Sequence, residues 1–175
     1  LEFRPSIRVN LQARRTEMMS GLLSTHDYDL AITTQLVETK NLNVQEFRQP
    51  CVIIYPKGRA PEGKRPLGPN DLKVQNLVTV TSTHPTTVQL ADRFSQAGVI
   101  PPNIFIETQT FESVCGFVRR GVGVGIVDAI TASRYINEVE IREFTPPIWH
   151  YVFLLRPLDR PTSRILKKFE ESVSK

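Results

Sequence analysis

The sequence predicts an α/β fold with mainly parallel sheets. Short apolar runs of strand length alternate along the 175 residues with segments whose apolar side chains recur at helical spacing. The ends of these segments are marked as well, because Pro85 suits the first turn of one helix and Gly98 suits its end. Strands that alternate with helices pair in parallel through crossover connections, which favours an α/β architecture.

The same patterns predict each element in order. Ile7, Val9 and Leu11 alternate with polar residues, which indicates a half-buried strand, and Thr16 can cap a helix over 16–24. The further strands are predicted at 28–32, 42–55, 77–81, 103–107, 122–127, 139–144 and 148–155. The further helices are predicted as a short turn capped by Asn70 and Asp71, at 85–97, after Thr110, at 130–135 and after Pro161.

The segment 108–128 carries the most specific local pattern. Gly121 suits the left-handed residue that ends a helix, and the run 122–127 is apolar with two interior glycines. Glycine inside a strand marks a bend or the close approach of a backbone or a ligand, so we interpret this segment as a ligand-sensing hinge. The apolar face of its helix consists of Phe111, Val114, Cys115 and Val118.

Composition and charge narrow the class of protein. The net charge of +4 comes from 22 basic and 18 acidic residues spread along the chain, without the basic arm or stripe that indicates nucleic-acid binding. No apolar run approaches the roughly 20 residues that cross a bilayer, and no signal peptide is recognised. Cys51 and Cys115 lie in apolar patterns, which favours buried thiols in a reducing compartment. We therefore expect a cytoplasmic protein that does not bind a membrane.

The residues that could carry catalysis do not form a recognisable site. Gly121–Gly125 opens a strand after a helix, which is the reverse of what a dinucleotide-binding loop requires. Cys115 lies on an apolar helix face, where a core thiol is expected rather than a nucleophile. His26, His84 and His150 lack metal-ligand spacing. We expect no enzyme activity, no cofactor and no metal ion.

Polar side chains that follow predicted strands are the candidates for ligand binding, because open α/β sheets bind ligands beyond the carboxyl ends of their strands. At the start of the helix at Pro85, hydroxyls and free backbone N–H groups suit a carboxylate, although the same residues could act only as helix caps. Asp128 could bind a ligand ammonium group or cap the following helix. The predicted ligand-binding residues are Thr33, Thr34, Thr81, Ser82, Thr83, His84, Thr108 and Asp128.

Three motifs occur in an order and spacing that match a known family. Residues 3–5 fit its "F…P", residues 28–32 (YDLAI) fit its "(F/Y)DLAI" strand, and residues 119–127 (RRGVGVGIV) fit its "GxGxxxxP" segment. In these motifs the chain resembles the effector-binding domain of LysR-type transcriptional regulators. The run 127–132 (VDAITA) is similar to the "VDPxTA" of the subgroup that senses opines and basic amino acids, with Ala129 at the place of the proline.

The resemblance implies a two-lobed, type 2 periplasmic-binding-protein-like fold whose lobes are joined by two crossover strands. Lobe I would comprise 1–54 and 127–175, and lobe II would comprise 55–126, with a carboxylate-bearing or amino-acid-like effector in the cleft between them. The family's DNA-binding winged helix-turn-helix and the first strand of lobe I are not recognised in this chain. DNA would be bound only through that N-terminal domain, in a homodimer or homotetramer paired through helices 16–24 and 86–97. The alternative is a solute-binding protein of a transporter.

Overall fold

The computed structural model describes residues 8–14, 18–25, 27–36, 41–159 and 161–173. Thr16 and the motif at residues 3–5 lie outside this part of the chain. The helices are α1 (Met19–Ser24), α2 (Pro69–Leu72), α3 (Pro85–Gln96), α4 (Phe111–Val118), α5 (Ala129–Ser133) and α6 (Arg164–Val173). The strands are β1 (Ala31–Thr33), β2 (Leu42–Pro56), β3 (Leu77–Val80), β4 (Ile104–Thr108), β5 (Val124–Asp128), β6 (Val139–Glu143) and β7 (Trp149–Pro157).

The predicted order of strands and helices is confirmed from α1 onwards, within a few residues at each end. Pro85 begins α3, and Gly98 follows its end with a φ of 63°. The predicted strand at 7–11 is wrong, because residues 8–14 are irregular and Val9 and Leu11 are 79% and 91% exposed. An alternating pattern forms a strand only where a neighbouring strand satisfies its backbone hydrogen bonds, and no described strand pairs with these residues.

The chain divides into two compact units, the larger comprising Arg48–His150 and the smaller Leu1–Phe47 with Tyr151–Lys175. Residues 48–54 and 127–150, which the family resemblance assigns to lobe I, lie in the larger unit. The assignment of effector-binding lobes stays a prediction. In the smaller unit β1 pairs antiparallel with β7. Among the described residues, its buried core contains Leu23, Ala31, Phe153 and Leu155.

The larger unit contains a mixed sheet with helices on both faces. β3 pairs in parallel with β4 and β5, whereas β2 pairs antiparallel with β5 and β6. Ile53 and Ile54 are adjacent on β2 and point to opposite faces, because Ile53 packs in the cluster that contains α3 residues and Ile54 in the one that contains α4 residues. β3 and β5 are buried along their whole length, as expected of strands covered on both faces.

The glycines after α4 allow close packing inside the larger unit. Gly121 has a φ of 81° and follows the helix as its left-handed residue, as predicted. A Cβ at Gly123 would collide with the Asn76 carbonyl oxygen, and one at Gly125 would lie 2.5 Å from Cγ1 of Val114. The predicted close approach of another backbone is confirmed at Gly123. The interpretation of this segment as a ligand-sensing hinge stays a prediction.

Candidate ligand-binding site

Three neighbouring parallel strands of the larger unit end at one edge of the sheet. The register pairs Val80 at the end of β3 with Thr108 at the end of β4. It also pairs Val78 with Gly125, which puts Asp128 of β5 at the same edge. Parallel strands share a direction, so their carboxyl ends meet there and form the usual place for a ligand. Six of the predicted residues lie at this edge: Thr81, Ser82, Thr83, His84, Thr108 and Asp128.

The turn between β3 and α3 uses most of its own hydrogen-bonding groups. The His84 N–H donates to the Thr81 carbonyl at 2.9 Å, and His84 caps α3 because its Nδ1 accepts from the Thr86 N–H at 3.2 Å. The Ser82 N–H donates to Oε2 of Glu107, on β4, at 3.0 Å. The prediction of free N–H groups at this helix start is therefore wrong for Ser82 and Thr86. A carboxylate and an imidazole of the same chain accept from them.

Asp128 is buried and acts as the N-cap of α5. Its Oδ1 accepts from the Thr131 N–H at 2.9 Å, and the residue is 4% exposed. Asp128 lies opposite Cys51 of β2 in the sheet register. Burial, supported by the Asp128 carboxylate, raises the pKa of Cys51 to about 12, so the thiol is uncharged. The capping alternative for Asp128 is thus observed, whereas a bond to a ligand ammonium stays a prediction.

Two imidazoles and a phenyl ring form an aromatic cluster beside the start of α3. The rings of His84 and His150 are stacked with centroids 5.8 Å apart. Phe111 of α4 presents edge-to-face contacts to both, at 5.4 Å to His84 and 5.1 Å to His150. His150 is only 8% exposed, and its ring nitrogens form no hydrogen bond with a residue that the structure describes. Sequence reasoning missed His150, whose one signal is a lone histidine inside the apolar run 148–155.

Burial keeps both imidazoles of the cluster uncharged. The pKa of His84 is lowered to about 4, mainly by burial and to a smaller extent by the neighbouring His150. Burial also lowers the pKa of His150 below its ordinary value, while the Asp128 carboxylate acts in the opposite direction. Since Nδ1 of His84 accepts a hydrogen bond, the proton of that neutral ring lies on Nε2. At neutral pH the cluster therefore offers one fixed N–H donor and a second ring near an anionic side chain.

Thr33 and Thr34 lie in the smaller unit. Thr33 is buried, and its hydroxyl donates to the Gln35 carbonyl at 2.8 Å; Thr34 is half-buried. Their part in ligand binding, and the predicted cleft between the lobes, stay predictions. In the described part of the chain no group of three or more His, Cys, Asp or Glu side chains could hold a metal ion. No helix there is long and apolar enough to cross a membrane.

The chain matches one protein family and is similar to two regulatory proteins. The family described as LysR substrate binding domain matches residues 1–175. The chain is 28% identical to the transcriptional activator protein LysR of Escherichia coli (strain K12) over 169 residues, which cover 94% of this chain and 53% of that protein. It is 29% identical to the regulatory protein NocR of Agrobacterium tumefaciens (strain T37) over 174 residues, which cover 97% of this chain and 57% of NocR. The chain thus spans about half the length of these relatives.

Among solved structures, the regulatory domain of CcmR from Synechocystis PCC6803, in complex with 2-PG, matches with a TM-score of 0.72. The sequence identity is 19%, and the match covers 97% of this chain and 83% of that one. At this identity the similarity concerns the fold, and it confirms the predicted type 2 periplasmic-binding-protein-like architecture.

Proposed function

The chain belongs to the family of LysR substrate-binding domains, and from this premise we propose that it is the effector-sensing part of a transcriptional regulator. LysR is named as a transcriptional activator and NocR as a regulatory protein, and the CcmR domain was solved with the small molecule 2-PG. In this proposal the chain binds a small effector, has no catalytic role, and signals to a DNA-binding part of the same protein in the cytoplasm. A transporter's solute-binding protein is not favoured, because the matching proteins are regulators.

The observation that carries the location of the effector is the set of polar groups where β3, β4 and β5 end. Thr81 and Thr108 supply hydroxyls there, and His84 supplies an Nε2–H that no described residue accepts. Asp128 lies at the same edge and supplies a buried carboxylate. Hydroxyl and imidazole donors suit a ligand carboxylate, and Asp128 suits an ammonium group. The proposed effector is therefore a small carboxylate-bearing or amino-acid-like compound.

Thermal melting of the full-length protein with matched small molecules tests this assignment. L-Lysine and L-ornithine carry both charged groups, cadaverine lacks the carboxylate, and glutarate lacks the amine. A binding compound at about 100 times its Kd stabilises the folded state by ~2.7 kcal/mol, which is readily measured as a higher Tm. We expect compounds with a carboxylate to raise the Tm and cadaverine to leave it unchanged. A Tm that rises only with uncharged or aromatic compounds would contradict the proposal.

We further propose that the regulator assembles as a homodimer or homotetramer through α1 and α3. Met18, just before α1, and Val88 on α3 are both about half exposed, so each offers apolar surface to a second copy. Val88→Glu should then lower the sedimentation coefficient of the full-length protein at micromolar concentration. Gln96→Glu on the same helix is the matched control, because it replaces an exposed polar residue. Assembly that is unchanged by Val88→Glu would count against α3 as an interface.

A further inference from the structure

We propose that the cluster of His84, His150 and Phe111 binds an oxyanion of the effector and that His150 takes up a proton from solvent as the oxyanion binds. The inference rests on the proposed effector-binding function. It deepens that function because it names the residue that receives a proton and the resulting dependence of affinity on pH.

Most ring nitrogens of the cluster form no hydrogen bond with a described residue, so they are free to bond to a ligand. His150 is 8% exposed, and neither of its nitrogens hydrogen-bonds to a described residue. These nitrogens are not among the fully buried, unpartnered side-chain atoms of the described residues, so a ligand that reaches the cluster can bond to them. His84 adds its Nε2–H, because its Nδ1 is occupied by the Thr86 N–H. The stacking of the two rings brings these unused groups to the start of α3.

The surroundings of the cluster favour a negatively charged ligand group. α3 has twelve residues, and the positive end of its dipole lies at His84, where an anion is stabilised. The Ser82 N–H is already used by Glu107, and the negative charges of Glu107 and Asp128 oppose a second anion, which a proton on His150 would offset. An oxyanion can also accept from the Nε2–H of His84, which an ammonium group cannot.

The two histidines differ in their ability to receive a proton. A second proton on His84 would occupy Nδ1 and remove the capping bond from the Thr86 N–H. His150 has no such bond to lose. The Asp128 carboxylate at the end of β5 also acts to raise the pKa of His150, which favours its protonated form. The proton taken up on ligand binding therefore goes to His150.

Cysteines and carboxylates on the elements around His150 do not oppose this charge. Cys51 of β2 and Cys115 of α4 both have pKa values raised to about 12, first of all by burial, so they stay neutral. Glu107 of β4 and Glu112 of α4 are exposed carboxylates, whose negative charge favours a protonated imidazole. His84 is neutral at neutral pH, and two arginines also lie on these elements: Arg48 of β2 lies over the Trp149 ring, and Arg93 of α3 donates to the Pro147 carbonyl. The pKa of His150 is shifted by burial and by Asp128.

The direction of the pH dependence follows from linkage. Burial lowers the pKa of His150 in the free protein, and a bound oxyanion raises it. Between the free and the bound pKa values, each binding event takes up one proton, and affinity falls by about tenfold for each unit of rising pH. Below the free value the ring is already protonated, so affinity no longer depends on its titration.

Calorimetry on the full-length protein tests the proposal with two probes, glutarate and inorganic phosphate. Titrations at about pH 7 in buffers of different ionisation enthalpy give the number of protons taken up, which we expect to approach about one for glutarate. Phosphate itself titrates near this pH, so its uptake is measured as the difference from His150→Gln. A response to glutarate assigns a carboxylate, and a response to phosphate assigns a phosphoryl group. His150→Gln should abolish the uptake, whereas His84→Asn, which keeps a capping side chain, should weaken binding but retain it. Melting curves of both variants without a probe check that they fold.

Two outcomes separate this inference from the proposed function. If a probe binds with an affinity that changes by less than about twofold between about pH 6 and 8, the proton coupling is overturned while the effector site stands. If neither probe binds, and His84→Asn does not change the affinity for L-lysine, which also carries a carboxylate, the oxyanion site itself is overturned. The proposed effector function still holds in that case if L-lysine or L-ornithine raises the Tm.

Discussion

Replacing Gly125 with alanine should destabilise the protein by about 1–3 kcal/mol, because the space beside this residue is already filled. A Cβ there would lie 2.5 Å from Cγ1 of Val114, 3.1 Å from Cγ2 of Val118 and 3.2 Å from Cγ1 of Ile54. Non-bonded carbon atoms pack at about 3.5–4.0 Å, so Val114 would have to withdraw by about 1 Å. Valine in a helix has one strongly preferred rotamer, and Val114 is fully buried, so α4 itself must shift.

The same substitution elsewhere on α4 provides the matched control. A Cβ at Gly116 would come no nearer than 4.0 Å to the Arg120 guanidinium, so Gly116→Ala should stabilise the helix by up to about 1 kcal/mol. Urea denaturation followed by circular dichroism measures both free energies of unfolding. Adding Val114→Ala to Gly125→Ala should give a protein more stable than the sum of the two single effects, because the smaller side chain vacates the contested space. A Gly125→Ala protein within about 0.5 kcal/mol of the original would refute this account.

Three further outcomes are expected. Asp128→Ala should lower the free energy of unfolding by ~1 kcal/mol in urea titrations. Asp128→Asn keeps a capping oxygen, so it should lower the free energy of unfolding by less but weaken the binding of L-lysine measured by calorimetry. Unchanged binding of L-lysine would remove Asp128 from the ligand site. The side-chain amide of Gln89 donates to the backbone carbonyl of Trp149 at 2.8 Å and accepts from the backbone N–H of Trp149 at 3.0 Å. Gln89→Leu should therefore lower the free energy of unfolding by ~1–3 kcal/mol. An unchanged melting temperature would contradict this. The hydrogen bond from Arg65, above all, holds the pKa of Asp71 below its ordinary 3.8. The ion pair therefore stabilises the folded state above pH 3.8, and this stabilisation is lost as the pH falls through the pKa of Asp71 in the folded protein. Arg65→Met should raise the pKa of Asp71 in an NMR titration, and an unchanged pKa would show that Arg65 does not cause the shift.

Local signals let the sequence determine most elements of this protein. Pro85 begins α3, Thr110 caps α4 through its hydroxyl and Gly121 follows α4 in the left-handed conformation. Each of these residues acts within a single turn, so its effect can be read without knowing the rest of the fold. The family motifs added the architecture, and the rule that open α/β sheets bind ligands beyond the carboxyl ends of their strands singled out the polar residues after the strands.

The tertiary structure decided the pairings between distant residues. The alternating pattern at Val9 and Leu11 forms no strand, because it has no described partner. His150 belongs to the candidate site only because its ring stacks on that of His84. The Ser82 N–H is not free, because the register of β4 places Glu107 within hydrogen-bond distance of it. Hydrogen-bond partners, burial and pKa values depend on which side chains from remote segments come together, and a local pattern carries no information about that choice.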